Sequence, residues 1–157
     1  MSSSPGSKVN YSCTIKLQRV MNAAARVVSG SRKYDRGLTQ LLHVELHLLD
    51  VPERIKYKLS MMTRRRLNGT APQYLAAHCV PVSATASRQH LRSAASHQLV
   101  VPSYRLSSYG RRSFSVAGPV MWNSLPRHLP DPVHTTPVFG RLLKTFFFSR
   151  VLVHTAH

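Results

Sequence analysis

The sequence predicts a mainly α fold: several short amphipathic helices with a small β-hairpin, in an incomplete or marginally stable domain. Three observations predict it. Leu17, Val20, Met21, Ala24, Val27 and Val28 recur at the i, i+3, i+4, i+7 spacing of one helical face. Asp50-Val51-Pro52-Glu53 has the spacing of a capping box, and Asn68-Gly69 supplies the matching stop. Thr136-Pro137 opens a last segment in which Phe139, Leu142, Leu143 and Phe146 repeat the helical spacing. With 157 residues, 43% of them hydrophobic, the chain fits one domain able to bury a core.

In chain order, residues 1–14 are Ser-rich, contain Pro5 and Gly6, and read as a flexible leader. The first helix is expected over Ile15 to Ser29, with Gly30 as its C′ residue and Arg19, Asn22 and Arg26 opposite the apolar face. A short helix over Thr39 to Leu49 takes Thr39 as N-cap. The third helix follows Asp50, with Ile55, Leu59 and Met62 on one face. Arg64-Arg65-Arg66 falls in its last turn, where positive charge complements the helix dipole or clamps a phosphate. Residues 79–110 are loop-rich. Within them Gln98–Val101 and Tyr104–Leu106, parted by Pro102-Ser103, are the candidate strands of the hairpin. Pro119, Pro126, Pro130, Pro132 and Pro137 then divide the chain into short pieces. The final helix spans Thr136 to Val153, capped by Thr136, and leaves 154–157 as a tail. Phe147 and Phe148 widen its apolar surface, which requires either burial or an exposed sticky patch.

Charge narrows the function. There are 22 Lys and Arg against 5 acids, a net charge of +17 that attracts polyanions. Translated non-coding or decayed sequence is also rich in Arg and Ser, so charge alone does not separate a binder from an orphan product. The candidate phosphate contacts are Arg19, Arg26, Arg64, Arg65, Arg66, Arg111 and Arg112, with Arg32, Lys33, Lys56 and Lys58 in support. Tyr104, Tyr109 and Phe114 flank Arg105, Arg111 and Arg112, the mixture that stacks bases and contacts phosphates. Solvated arginines are an equal alternative, and Phe114 and Trp122 read first as core anchors. A protein partner docking on Trp122, Phe146 and Phe147 is the alternative to nucleic acid.

Catalytic patterns are not found. Asp35, Glu45, Asp50, Glu53 and Asp131 are the only acids and no two are adjacent, so no paired carboxylates stand ready to hold catalytic metal ions. His43 and His47 are one helical turn apart around Glu45, without the order of a zinc-protease motif or a third ligand nearby, and read as surface histidines. Cys13 and Cys79 lack CxxC spacing and read as free thiols. No cofactor is expected. Asn10-Tyr11-Ser12 and Asn68-Gly69-Thr70 fit the glycosylation pattern by chance, because neither an apolar secretory h-region nor a membrane-length apolar run is evident. A nuclear or cytoplasmic site is expected. Mitochondrial import is the alternative, because residues 1–34 lack acids and carry Lys8, Lys16, Arg19, Arg26, Arg32 and Lys33.

Several blocks carry a resemblance. They include Leu17-Gln18-Arg19-Val20 with Asn22-Ala23-Ala24-Ala25-Arg26, then Glu45-Leu46-His47, and then Glu53-Arg54-Ile55-Lys56-Tyr57-Lys58-Leu59. Leu67-Asn68-Gly69-Thr70-Ala71-Pro72-Gln73-Tyr74-Leu75 follows, then the run from Gly110 to Pro126 that holds the single Trp, then Phe139-Gly140-Arg141-Leu142-Leu143-Lys144-Thr145. In this order they resemble the region downstream of the polymerase core in non-LTR (LINE-type, jockey/CR1-like) retrotransposon polyproteins, over about Leu17 to Arg150. Leu48-Leu49-Asp50-Val51 departs from the family's Trp-Leu-Pro-Val, and Gly140 from its Lys; residues 1–14 match nothing in it. The resemblance implies a reverse-transcriptase C-terminal-like helical region over 15–153, in the thumb or beyond, that helps grip template RNA and target DNA. Neither the Tyr-x-Asp-Asp motif of the polymerase nor the acids of the endonuclease have counterparts here. The expectation is a non-catalytic fragment that binds RNA or DNA through phosphates with low specificity. A captured protein-interaction domain and an orphan product without an evolved role are the alternatives.

Overall fold

The computed structural model describes residues 5–75, 77–85, 87, 96–103, 110 and 113–155, and these are mainly helical. Helix α1 runs Pro5–Ser29 and α2 is the short turn Leu38–Gln40, continued as a π-helical turn over Leu41–Glu45. Helices α3 (Val51–Leu67), α4 (Phe114–Asn123) and α5 (Thr136–Thr155) follow, with 3₁₀ turns at Gln73–Leu75 and Val82–Ala84. The chain divides into two compact units, residues 1–55 with 145–157 and residues 56–144.

In the first unit α1 begins at Pro5 rather than Ile15, so the helix takes in most of the stretch expected as leader. Pro suits this start, since its missing N–H falls among amides that have no intrahelical partner anyway. At the other end Gly30 adopts the left-handed conformation at φ 70°. Ser31 N–H donates to Arg26 C=O at 3.0 Å and Gly30 N–H to Val27 C=O at 3.4 Å, closing a Schellman motif.

The packed side of α1 differs from the expected one. Leu17, Val20, Val27 and Val28 are 52%, 67%, 82% and 75% exposed, whereas Ala25 is buried and Gln18, Met21 and Asn22 are half-buried. Helix and π-helical turn lie against each other, and a residue as small as Ala25 lets two backbones approach. Gln18 adds a polar reason. Its Oε1 accepts the Val51 N–H at 2.8 Å, an amide at the start of α3 that has no partner within the helix, while its Nε2 donates to Asp50 Oδ1 at 2.8 Å.

Thr39 does not cap the second helix. The helix starts one residue earlier behind Gly37, which has φ 88°, and then widens into the π turn that ends at Glu45. His47 is left-handed at φ 50°, so His43 and His47 do not share a helical face. His43 is buried, its Nδ1–H donates to Leu48 C=O at 2.7 Å, and its Nε2 faces Asp50 Oδ2 at 3.5 Å. Among the described residues no group of three potential metal ligands occurs.

In the second unit the buried face of α3 carries Ser60, Thr63 and Arg64, not the expected Ile55, Leu59 and Met62. Hydroxyls can be buried here because each is satisfied within its own helix. Ser60 Oγ donates to Lys56 C=O and Thr63 Oγ1 to Leu59 C=O, both at 2.9 Å.

Helix α4 passes through Pro119, which the sequence reading takes as a break. Part of the penalty for a helical residue before proline is a clash with its Cβ, and Gly118 has none. The same absence admits a close neighbour: a Cβ on Gly118 would lie 3.1 Å from Thr63 Oγ1 and 3.4 Å from Cys79 Sγ.

Trp122 is buried and its ring centroid lies 5.6 Å from that of Phe139. Its indole N–H donates to His97 C=O at 3.0 Å. Next to it, Asn123 exchanges two hydrogen bonds of 2.9 Å with the backbone of Leu99, as a strand partner would. Two adjacent residues of α4 thus hold the loop at 97–99 in place.

The described residues contain no strand. Within the first half of the expected hairpin, Leu99 forms a single antiparallel bridge to Pro81, flanked by Val82 N–H to Gln98 C=O and Val100 N–H to Val80 C=O. Residues 104–106, the other half of that hairpin, lie outside the described residues.

Helix α5 starts at Thr136, with Thr135 C=O taking the Phe139 N–H, so Thr136 lies inside the first turn. Its buried stripe is Phe139, Leu143 and Phe147 at i, i+4, i+8; Leu142 is exposed and Phe146 half-buried. Burial of Trp122 and Phe147 removes them from the proposed protein-docking surface, and with them the core of that surface. No helix among the described residues is long and apolar enough to cross a membrane.

Candidate nucleic-acid interface

The triple Arg divides three ways. Arg64 is 2% exposed and its guanidinium donates to the carbonyls of Pro130, Asp131, Pro132 and His134. It also stands over the Phe139 ring, 5.4 Å from the centroid. Burial lowers its pKa, and the Asp131 carboxylate partly restores it. Its Nη1 and Nη2 groups meet several converging acceptors in the proline-rich turn before α5, whereas its buried Nε has no hydrogen-bond partner among the described residues. Arg64 is thereby a structural cation and leaves the set of phosphate contacts. Arg66 is half-buried and close enough to Cys79 to favour its thiolate, although burial prevails and pushes that thiol up. Arg65 alone of the three is exposed.

Arg65 borders a cleft of about 390 Å³. One wall is a face of α3, with Tyr57, Met61 and Arg65 at i, i+4, i+8 beside Lys58 and Met62. The other wall is Ala71, Pro72, Tyr74 and Leu75. Asn68-Gly69 produces this pairing of walls: Gly69 is left-handed at φ 69°, and Thr70 N–H returns to Arg65 C=O at 2.9 Å, folding the chain back along α3. Gly140 on α5 completes the setting. A Cβ there would lie 3.3 Å from Tyr57 Oη and 3.4 Å from Met61 Sδ, so its bare backbone is what lets those two side chains lie against it.

The cleft is apolar and aromatic inside, bordered by exposed Lys58 and Arg65, and its lining holds no acid. Tyr74 is 73% exposed. Such a surface can stack a flat ring and neutralise a neighbouring anion.

Of the remaining expected contacts, Arg19 is exposed and Arg26 half-buried on α1, in the other unit. Arg111, Arg112, Tyr104 and Tyr109 lie outside the described residues. Sequence reasoning missed Tyr57, Tyr74 and Met61. Their signal was present in the Tyr57–Met61–Arg65 spacing followed by a Gly stop, which folds the next segment onto that face. Comparison with protein-family models, curated proteins and solved structures finds no match for this chain.

Proposed function

We propose that the chain is a non-catalytic nucleic-acid-binding module, a fragment of the C-terminal region of a non-LTR retrotransposon reverse transcriptase, that grips RNA or DNA through phosphates with low specificity. The ordered blocks between Leu17 and Arg150 support the origin. The observation that carries the binding is the acid-free cleft with exposed Lys58 and Arg65 beside Tyr57 and Tyr74.

Binding of a labelled single-stranded RNA should weaken steeply with salt, with log K falling at a slope of about −0.7 per phosphate neutralised. A scrambled RNA should compete equally. Undiminished affinity at high salt, or strong preference for one sequence, would sink this function. Arg65→Gln should lower the slope by about 0.7, the share of one phosphate contact.

A further inference from the structure

Phosphate attraction alone gives no reason for an aromatic cleft beside the cations. Two tyrosines and Met61 form an apolar surface, and Lys58 and Arg65 border it. A ligand suited to both parts has a flat apolar ring joined to an anion a short distance away. At about 390 Å³ the space lies at the small end of ligand sites, enough for one such group and not for a stack of them. Duplex DNA or RNA keeps its bases stacked inside and offers only the phosphates.

We infer that the cleft is a pocket for one unstacked nucleotide of a single strand. The base lies on the Tyr57, Met61 and Tyr74 surface and its flanking phosphates meet Lys58 and Arg65. This rests on the proposed nucleic-acid binding and adds what that binding does not require: recognition of a base as a base. Stacking on tyrosine accepts any base, so the pocket confers preference for single strands without preference for sequence.

The test compares a short labelled RNA with an abasic strand of equal length and equal phosphate number, by fluorescence anisotropy, using the full chain. The pocket predicts that the base-bearing strand binds about fivefold to a hundredfold tighter, the range expected for one stacked base. Tyr74→Ala should abolish that margin without altering the salt slope, and Tyr74→Phe should keep it. Because Tyr74 is 73% exposed, the variant is expected to fold, which circular dichroism checks. Equal affinity for the two strands, or equal loss on both in Tyr74→Ala, overturns the pocket while leaving electrostatic binding standing. Failure of both strands to bind at low salt overturns the function proposed above as well. Tighter binding of an acidic, tyrosine-bearing peptide than of RNA also overturns the pocket and assigns the cleft to a protein ligand.

Discussion

Arg64 shows how far one side chain can depart from its apparent role. In the sequence it is one of three equivalent cations; in the fold it gathers the carbonyls of Pro130, Asp131, Pro132 and His134. Lysine has no planar fork to reach several acceptors. Arg64→Lys should therefore destabilise the second unit by about 2–4 kcal/mol, as expected for buried acceptors stripped of a charged donor, measured by denaturant unfolding. Arg65→Lys, on the exposed neighbour, should stay within about 0.5 kcal/mol of the parent.

Cys79 offers a second residue-level check. Desolvation pushes its thiol above the ordinary range, against the smaller opposing effects of Thr63 and Arg66. Below the ordinary thiol range, near pH 8.5, both folded and unfolded chains hold the proton and this site costs no stability. As pH rises the unfolded chain loses it first, so stability drains away until the folded-state pKa is passed. The stability difference between parent and Cys79→Ala should therefore shrink from pH 8 to pH 10. A difference constant with pH would contradict the buried thiol. Exposed Cys13 should meanwhile be alkylated first.

At the scale of elements, the existence of α1, α3 and α5 was legible in the sequence; that of α4, which runs through Pro119, was not, and neither was helix orientation. Periodicity, Gly30, Asn68-Gly69 and Pro137 marked α1, α3 and α5, because capping and backbone freedom are local properties. Which face packs depends on the neighbour. On α1, which lies against the π-helical turn, it is Ala25 that is buried, and valines with the right period are left outside. Val27→Glu should then cost less than about 0.5 kcal/mol, whereas Ala25→Leu should overpack and cost about 1–3 kcal/mol. Thermal melts of the two variants decide between the packed face and the periodic one; the reverse order would return α1 to its expected orientation.

The cleft was half legible for a similar reason. Arg65 and Lys58 announce themselves by charge and Tyr57 shares their helix, while Tyr74 joins them only after Gly69 reverses the chain. The π turn at Leu41–Glu45 had no signal at all in hydrophobic spacing, and the cap that Gln18 provides across 33 residues is a tertiary event.

For the whole molecule the charge of +17 remains the dominant fact, because Arg64 is buried whereas the other Lys and Arg side chains that the structure describes are exposed or half-buried. Like charges crowd a small volume, and anions relieve them. Stability should rise as salt is raised from about 10 to 150 mM, where the screening length falls from roughly 30 Å to 8 Å, and phosphate should stabilise more than chloride at equal ionic strength. A melting temperature indifferent to both would mean that the cations are already compensated.

Trp122 is the single tryptophan of the chain, and it lies wholly within the second unit. Its emission is consequently a private channel: it reports dissolution of the residues around Phe139 and His97 and carries no signal from α1. Ellipticity in the far ultraviolet, summed over every helix, is the public one. Superimposed transitions on the two channels would describe a molecule that melts as one body, and separated ones would give each unit its own stability, obtained without altering a single atom.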